Sequence, residues 1–131
     1  MVLDASAVVE LLLGSARGEA VTAAVRSAGA EASLHAPDLM DVEVAQVLRR
    51  HTAKGALLVA RAEGAIALLQ RLPLTRHPAR ILLPRIWALR ENLAAYDAAY
   101  VALAEALGAT LLTCDGRLAR APGHAAVIVA I

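Results

Sequence analysis

Four carboxylates carry the chemistry to be expected of this chain: Asp4, Glu43, Asp97 and Asp115. Asp4 stands between the short apolar run Val2-Leu3 and the apolar Ala7-Val8-Val9, where an acid is costly without a partner. Asp115 lies just past the apolar run Leu111-Leu112-Thr113. Glu43 and Asp97 fall in the opening turns of two amphipathic segments. Gathered in one cleft, such acids raise one another's pKa and cannot all stay ionised without compensation, which a bound cation commonly supplies. All-oxygen ligation selects Mg²⁺ or Mn²⁺ over zinc. Such a site suits phosphodiester hydrolysis, because the metal acidifies the attacking water and stabilises the crowded phosphate. Ser6 and Thr113, each two residues from one of these acids, are candidates to hydrogen-bond the site from behind.

Each residue also has a plainer reading. Acids in a helix's first turn often serve only the helix dipole, and taken singly Glu43 and Asp97 are better read that way. Asp38 and Asp41 are assigned to it outright, Asp38 as an N-cap and Asp41 three residues on in a capping-box-like position. Asp115 has the alternative of capping the short helix after it. Ser6 and Thr113 are equally at home as a helix-start serine and a strand-end threonine. His35, His51, His77 and His124 show no ligand spacing. Cys114 has no evident base beside it. The stretch Leu13-Gly14-Ser15-Ala16-Arg17-Gly18 has two glycines but lacks the lysine of a phosphate loop, which argues against nucleoside triphosphate binding.

The elements that must position these acids alternate between strand and helix. A buried strand at Val2-Leu3 leads into a helix over Ala5 to Leu13, closed by Gly14. A second helix runs from Arg17 to Ala28, followed by a strand at Ser33 to Ala36. Pro37-Asp38 opens a third helix with the stripe Met40, Val44, Val47, Leu48. After a break at Lys54-Gly55, a helix over Ala56 to Gln70 leads to an edge strand at Leu72-Pro73-Leu74. Pro78 to Leu89 reads as helical, ended or kinked at Pro84. Ala95 to Leu107 is the strongest helix of the second half, with Gly108 as its cap. Thr110 to Thr113 is a buried strand, Asp115 to Leu118 a turn into a short helix, and Val127 to Val129 a last strand. This alternation predicts a mostly parallel sheet with helices on both faces. In such sheets the site lies outside the carboxyl ends of the strands.

Composition bounds the rest. A chain of 131 residues fits one domain, spanning 1–131. It is 59% apolar with a mean hydropathy of +0.58. Charges nevertheless interrupt every run short of the ~18 residues that a spanning helix needs, so no membrane role is expected. The N-terminal run has no basic lead, a single cysteine cannot form an internal disulfide, and the expected location is the cytoplasm. A net charge of +1 names no polyanion partner. Five arginines between 64 and 90 (Arg71, Arg76, Arg80, Arg85, Arg90), and the group Arg49, Arg50, Lys54, are read equally as phosphate contacts and as solvated or partner-facing surface. Trp87, Tyr96 and Tyr100 are the only aromatics besides histidine, which predicts limited base stacking.

Taken together, four stretches resemble the PIN-domain ribonucleases of the VapC toxin type: Val2-Leu3-Asp4-Ala5-Ser6, the acidic helix from Pro37 through Glu43 to Arg50, the stretch from Asn92 through Asp97 to Glu105, and Leu111-Leu112-Thr113-Cys114-Asp115-Gly116-Arg117-Leu118. They follow the family order and span nearly the whole chain. The resemblance implies a three-layer α/β/α sandwich and cleavage of RNA. It implies that Asp4, Glu43, Asp97 and Asp115 surround Mg²⁺ or Mn²⁺, with Asp4 and Asp97 as main ligands. It also implies a cognate antitoxin that blocks the cleft, a homodimer, and operator DNA reached only through the antitoxin. One departure is Ala94, where many relatives carry a capping threonine; Asn92 is the alternative cap. Two rivals remain. A catalytically silent PIN-fold binding module would dock a partner only, but no acid is lost. A phosphatase using Asp4 as nucleophile would want an acid where Ser6 stands.

Overall fold

The computed structural model of the chain describes residues 1–29 and 32–131. Five strands form one parallel sheet: β1 (Val2–Leu3), β2 (Leu34–Pro37), β3 (Leu74–His77), β4 (Leu111–Thr113) and β5 (Ile128–Ala130), in the order β3-β2-β1-β4-β5. Six helices connect them: α1 (Ala5–Leu13), α2 (Ala16–Ser27), α3 (Met40–Ala53), α4 (Val59–Arg71), α5 (Leu83–Ala88) and α6 (Ala95–Leu107). Parallel strands need crossover connections, and helices supply them on both faces. In one layer α1 packs against α2, α3 and α4; in the other α6 packs with α5 over β1, β2 and β4. This is the α/β/α sandwich that the sequence predicts.

The centre of the sheet is apolar on both sides. Val2 and Leu3 of β1, and Leu111, Leu112 and Thr113 of β4, are fully or almost fully buried. Seven consecutive residues of α6, Ala98 to Ala104, are buried as well. Four of the seven are alanine, whose small side chain lets a helix be enclosed on every side.

The chain order reverses between β1 and β4. The connection after β1 leads to β2 on one side, whereas β4 lies on the other. Such a switch point leaves a crevice outside the carboxyl ends of the two strands. Asp4 ends β1 at this crevice, and Asp115 follows β4 into it.

Several local expectations need correction. Pro37 does not open α3 but ends β2 opposite His77. Having no N–H, it cannot extend the ladder toward β1, whose pairing with β2 stops at Val2 opposite His35. Asp38 is not the cap of α3: Leu39 holds that place without a side-chain bond, and Asp38 accepts the Ala79 N–H instead. Asp41 forms a two-pronged ion pair with Arg76 rather than a capping box. Helix α4 begins at Val59, and the edge strand lies after Pro73, at Leu74–His77. Pro84 sits in the first turn of α5, where a missing N–H costs nothing, so it starts that helix rather than ending it. Asn92 does not cap α6; the cap is Ala94, with no side-chain bond.

Candidate metal centre

The site is assembled from the ends of β1 and β4 and the starts of α3 and α6. Asp4 is only 5% exposed, and it shares the buried polar core of the described residues with Thr113. Its Oδ1 accepts the Ser6 hydroxyl at 2.7 Å and the Ala7 N–H at 2.8 Å, which makes Asp4 the N-cap of α1. Its Oδ2 accepts the Thr113 hydroxyl at 2.5 Å. The two hydroxyls reach onward as acceptors. Ser6 Oγ takes the Cys114 N–H and Thr113 Oγ1 takes the Asp115 N–H, each at 2.8 Å. The end of β4 is thereby tied to the start of α1. Burial pushes the Asp4 pKa up despite these bonds, and the Asp115 charge adds to the rise.

Glu43 lies in the first turn of α3 and Asp97 in the first turn of α6. The buried Tyr100 donates its hydroxyl to Glu43 Oε2 at 2.5 Å. Burial raises the Glu43 pKa; the Tyr100 bond opposes this, and the charges of Asp97 and Asp4 add to it. Burial raises Asp97 too, followed by the charges of Asp115 and Asp4. Burial drives the Tyr100 phenol far up, so it acts as a donor only. Asp115 runs the other way. Arg117 grips its carboxylate, Nη2 on Oδ2 at 3.0 Å and the backbone N–H on Oδ1 at 2.8 Å, and holds it below the usual carboxylate range.

The four acids thus share one electrostatic neighbourhood at the switch point. Even so, among the described residues no three His, Cys, Asp or Glu side chains are drawn close enough to hold a metal ion as they stand. Both oxygens of Asp4 are engaged by hydrogen bonds, and Asp115 is turned onto Arg117. Asp4, Glu43 and Asp97 form no ion pair among the described residues. Three carboxylates with raised pKa and no ion pair among the described residues are, by their oxygen chemistry, a donor set that a hard divalent cation fits.

Two participants escape a reading of the acids alone, Tyr100 and Arg117. Tyr100 shows only as part of an apolar stripe, although a buried hydroxyl must find an acceptor. Arg117 follows Asp115 by two residues, a spacing that suits an Asx turn. The basic segment is largely accounted for internally. Arg76 pairs with Asp41, Arg85 with Glu105 and Arg90 with Glu91, whereas Arg71 and Arg80 form no ion pair among the described residues. Two of the scattered histidines do meet: His35 Nδ1 lies 3.0 Å from His77 Nε2.

The sequence matches the PIN domain family over residues 1–124. It is 46% identical to Ribonuclease VapC3 of Mycobacterium tuberculosis over 121 residues, covering 92% of this chain and 86% of that protein. It is 42% identical over 130 residues to Ribonuclease VapC12 of the same organism, covering 98% and 96%. The fold is similar to the crystal structure of PAE2754 from Pyrobaculum aerophilum, with a TM-score of 0.62 at 23% identity over 90% of this chain and 82% of that one. The chain belongs to the PIN domain family, alongside its VapC ribonucleases.

Proposed function

We propose that this protein is a Mg²⁺- or Mn²⁺-dependent endoribonuclease, the toxin of a VapBC-type pair. The observation that carries the reading is the buried Asp4 at the switch point, coupled in charge to two half-buried acids, Glu43 and Asp97, that form no ion pair among the described residues. The names of the curated relatives support the substrate class.

In this reading Asp4, Glu43 and Asp97 would hold the cation, and Asp115 would complete the set on release from Arg117. The cation, when bound, supplies positive charge that acidifies water and stabilises the crowded phosphate. The chain's own groups prepare the place. Ser6 and Thr113 fix the Asp4 carboxylate, and Tyr100 fixes that of Glu43, so little reorganisation is left for the moment of reaction. Arg117, 87% exposed at its side chain, is placed to exchange its carboxylate partner for an RNA phosphate. The family reading adds a cognate antitoxin as partner, operator DNA reached only through it, a homodimer, and a cytoplasmic setting.

The test is cleavage of total cellular RNA by the purified chain with Mg²⁺ or Mn²⁺, with EDTA, and with the Asp97→Asn variant. Discrete metal-dependent fragments, absent from the variant and from the EDTA lane, are expected. Equal cleavage by Asp97→Asn would sink the assignment. Metal uptake without cleavage would favour a silent binding module.

A further inference from the structure

Beside the acid cluster lies a cavity of about 360 Å³ whose lining, apart from Glu43, has no role in the proposed chemistry. Of the four acids Glu43 borders it, and Ala5 and Tyr96, the chain neighbours of Asp4 and Asp97, border it too. From Glu43 its wall continues along one face of α3 through Gln46, Val47 and Arg50, the i, i+3, i+4, i+7 positions of a helix. The opposite wall is Tyr96, which precedes Asp97 and is 63% exposed. Val42, also largely exposed, completes the apolar lining.

An exposed tyrosine and two valines are poor surface for water and good surface for a flat ring. Of the cavity's polar groups Glu43 faces the cation in the proposed reading, and Gln46 and Arg50 are left to donate. Gln46 spends its carbonyl on Arg49 Nε at 3.0 Å, so its amide N–H groups are left to meet a ligand. The Arg50 guanidinium forms no ion pair among the described residues and carries donors only. A planar ligand held by donors should present an edge of adjacent acceptors, and among RNA bases guanine does so with O6 and N7. We infer that this cavity is a nucleobase subsite, in which a guanine next to the cleaved phosphate stacks on Tyr96 and presents its O6/N7 edge to Arg50 and Gln46. The inference rests on the reading of the acid cluster as a nuclease centre. It revises the expectation that stacking contributes little: the aromatics are few, but one stands beside the acids.

The experiment sequences the cut sites made by the full chain with Mn²⁺ in a pool of randomised single-stranded RNA. Wild type is compared with Tyr96→Phe, Tyr96→Ala and Arg50→Ala. The expected result is guanine enrichment at one position flanking the cut for wild type and Tyr96→Phe. That enrichment should be lost in Tyr96→Ala and Arg50→Ala, with cleavage reduced roughly tenfold, the scale of one lost stacking contact. An identical base profile in all four proteins would overturn the subsite and leave the surface to a protein partner. A second arm does not depend on cleavage. Asp97→Asn and the double variant Asp97→Asn/Tyr96→Ala are titrated with fluorescent short RNAs that contain or lack guanine. Preference for the guanine RNA in the first protein and its loss in the second supports the subsite even if wild type cuts nothing, in which case only the nuclease reading falls. Equal affinities throughout overturn the subsite.

Discussion

Asp4 caps a helix with one carboxylate oxygen and rests the other on a threonine from a strand more than a hundred residues away. Oδ1 accepts from both Ser6 and Ala7 and is filled, whereas Oδ2 accepts only from Thr113 and keeps a second lone pair for a cation. The arrangement makes Thr113 a sensitive position. Its hydroxyl donates to Asp4 and accepts the Asp115 N–H, so it orients two acids at once. Thr113→Val keeps the shape and removes both bonds. The expected outcome is a 10- to 100-fold fall in cleavage or metal affinity, the usual scale for a group that orients a ligand, with about 1–3 kcal/mol lost from stability because buried partners go unsatisfied. Cleavage rates with Mn²⁺ and a denaturant titration measure the two effects separately. A variant with unchanged rate and metal affinity would remove Thr113 from the site.

At the scale of elements, the corner between α1 and α2 sets how β1 feeds the site. Gly14 ends α1 at φ 61°, a left-handed conformation that favours glycine. Ser15 then caps α2 by accepting the Gly18 N–H at 3.0 Å. Gly18 lies against the previous helix: a Cβ built there would stand 2.1 Å from the Glu10 carbonyl oxygen. Helix propensity alone says that Gly18→Ala stabilises by roughly 1 kcal/mol. The clash with backbone, which cannot swing aside as a side chain can, reverses the sign. We expect Gly18→Ala to destabilise by roughly 1–3 kcal/mol in urea unfolding, the range for overpacking, with the folded fraction retaining its cleavage rate. A stabilised variant would show that the two helices can part freely. Such a contact leaves no mark in the sequence, where Gly18 reads only as an early residue of the helix that starts at Arg17.

For the whole molecule, the acid cluster places a pH dependence on stability, and the proposed cation site predicts a metal dependence as well. Asp4, Glu43 and Asp97 all have pKa values raised above their ordinary 3.8 to 4.5. A raised carboxylate binds its proton better in the folded state, so the stability it contributes is present below its ordinary pKa and is lost as pH rises through the folded value. At neutral pH the ionised cluster therefore opposes folding, and in the proposed reading a bound divalent cation would relieve it. Glu105 has the opposite sign. Arg85 holds its pKa down, and its contribution is present above its ordinary 4.5 and lost as pH falls through the folded value. Comparing variants cancels that background. Thermal unfolding at pH 7 without metal should show Asp97→Asn melting above wild type. Mn²⁺ should raise the wild-type midpoint and raise the variant's far less. As pH falls, the metal increment should shrink, because protons compete with the cation for Asp4, Glu43 and Asp97. Identical melting of the two proteins at pH 7, with and without Mn²⁺, would refute the cluster as a cation site.

The order of strands and helices, the parallel sheet and the four acids were legible in the sequence because they rest on local signals: apolar runs, helical stripes, glycine caps and carboxylates at element ends. Where signals conflicted, tertiary contacts decided. Pro37 belongs to a strand because the N–H it lacks is not needed once the ladder to β1 has ended, and Asp41 serves Arg76, a β3 residue 35 positions away in the chain, rather than its own helix end. The same holds for the site. Sequence position sets Asp4 beside Ser6, but only the closing of β1 onto β4 brings Thr113 to Asp4, and only the packing of α6 near α3 brings Tyr100 to Glu43 and Tyr96 to the cavity wall. These pairings span 109 and 57 residues along the chain. Local propensity determines which elements form; burial of their apolar faces against one another determines which polar groups meet.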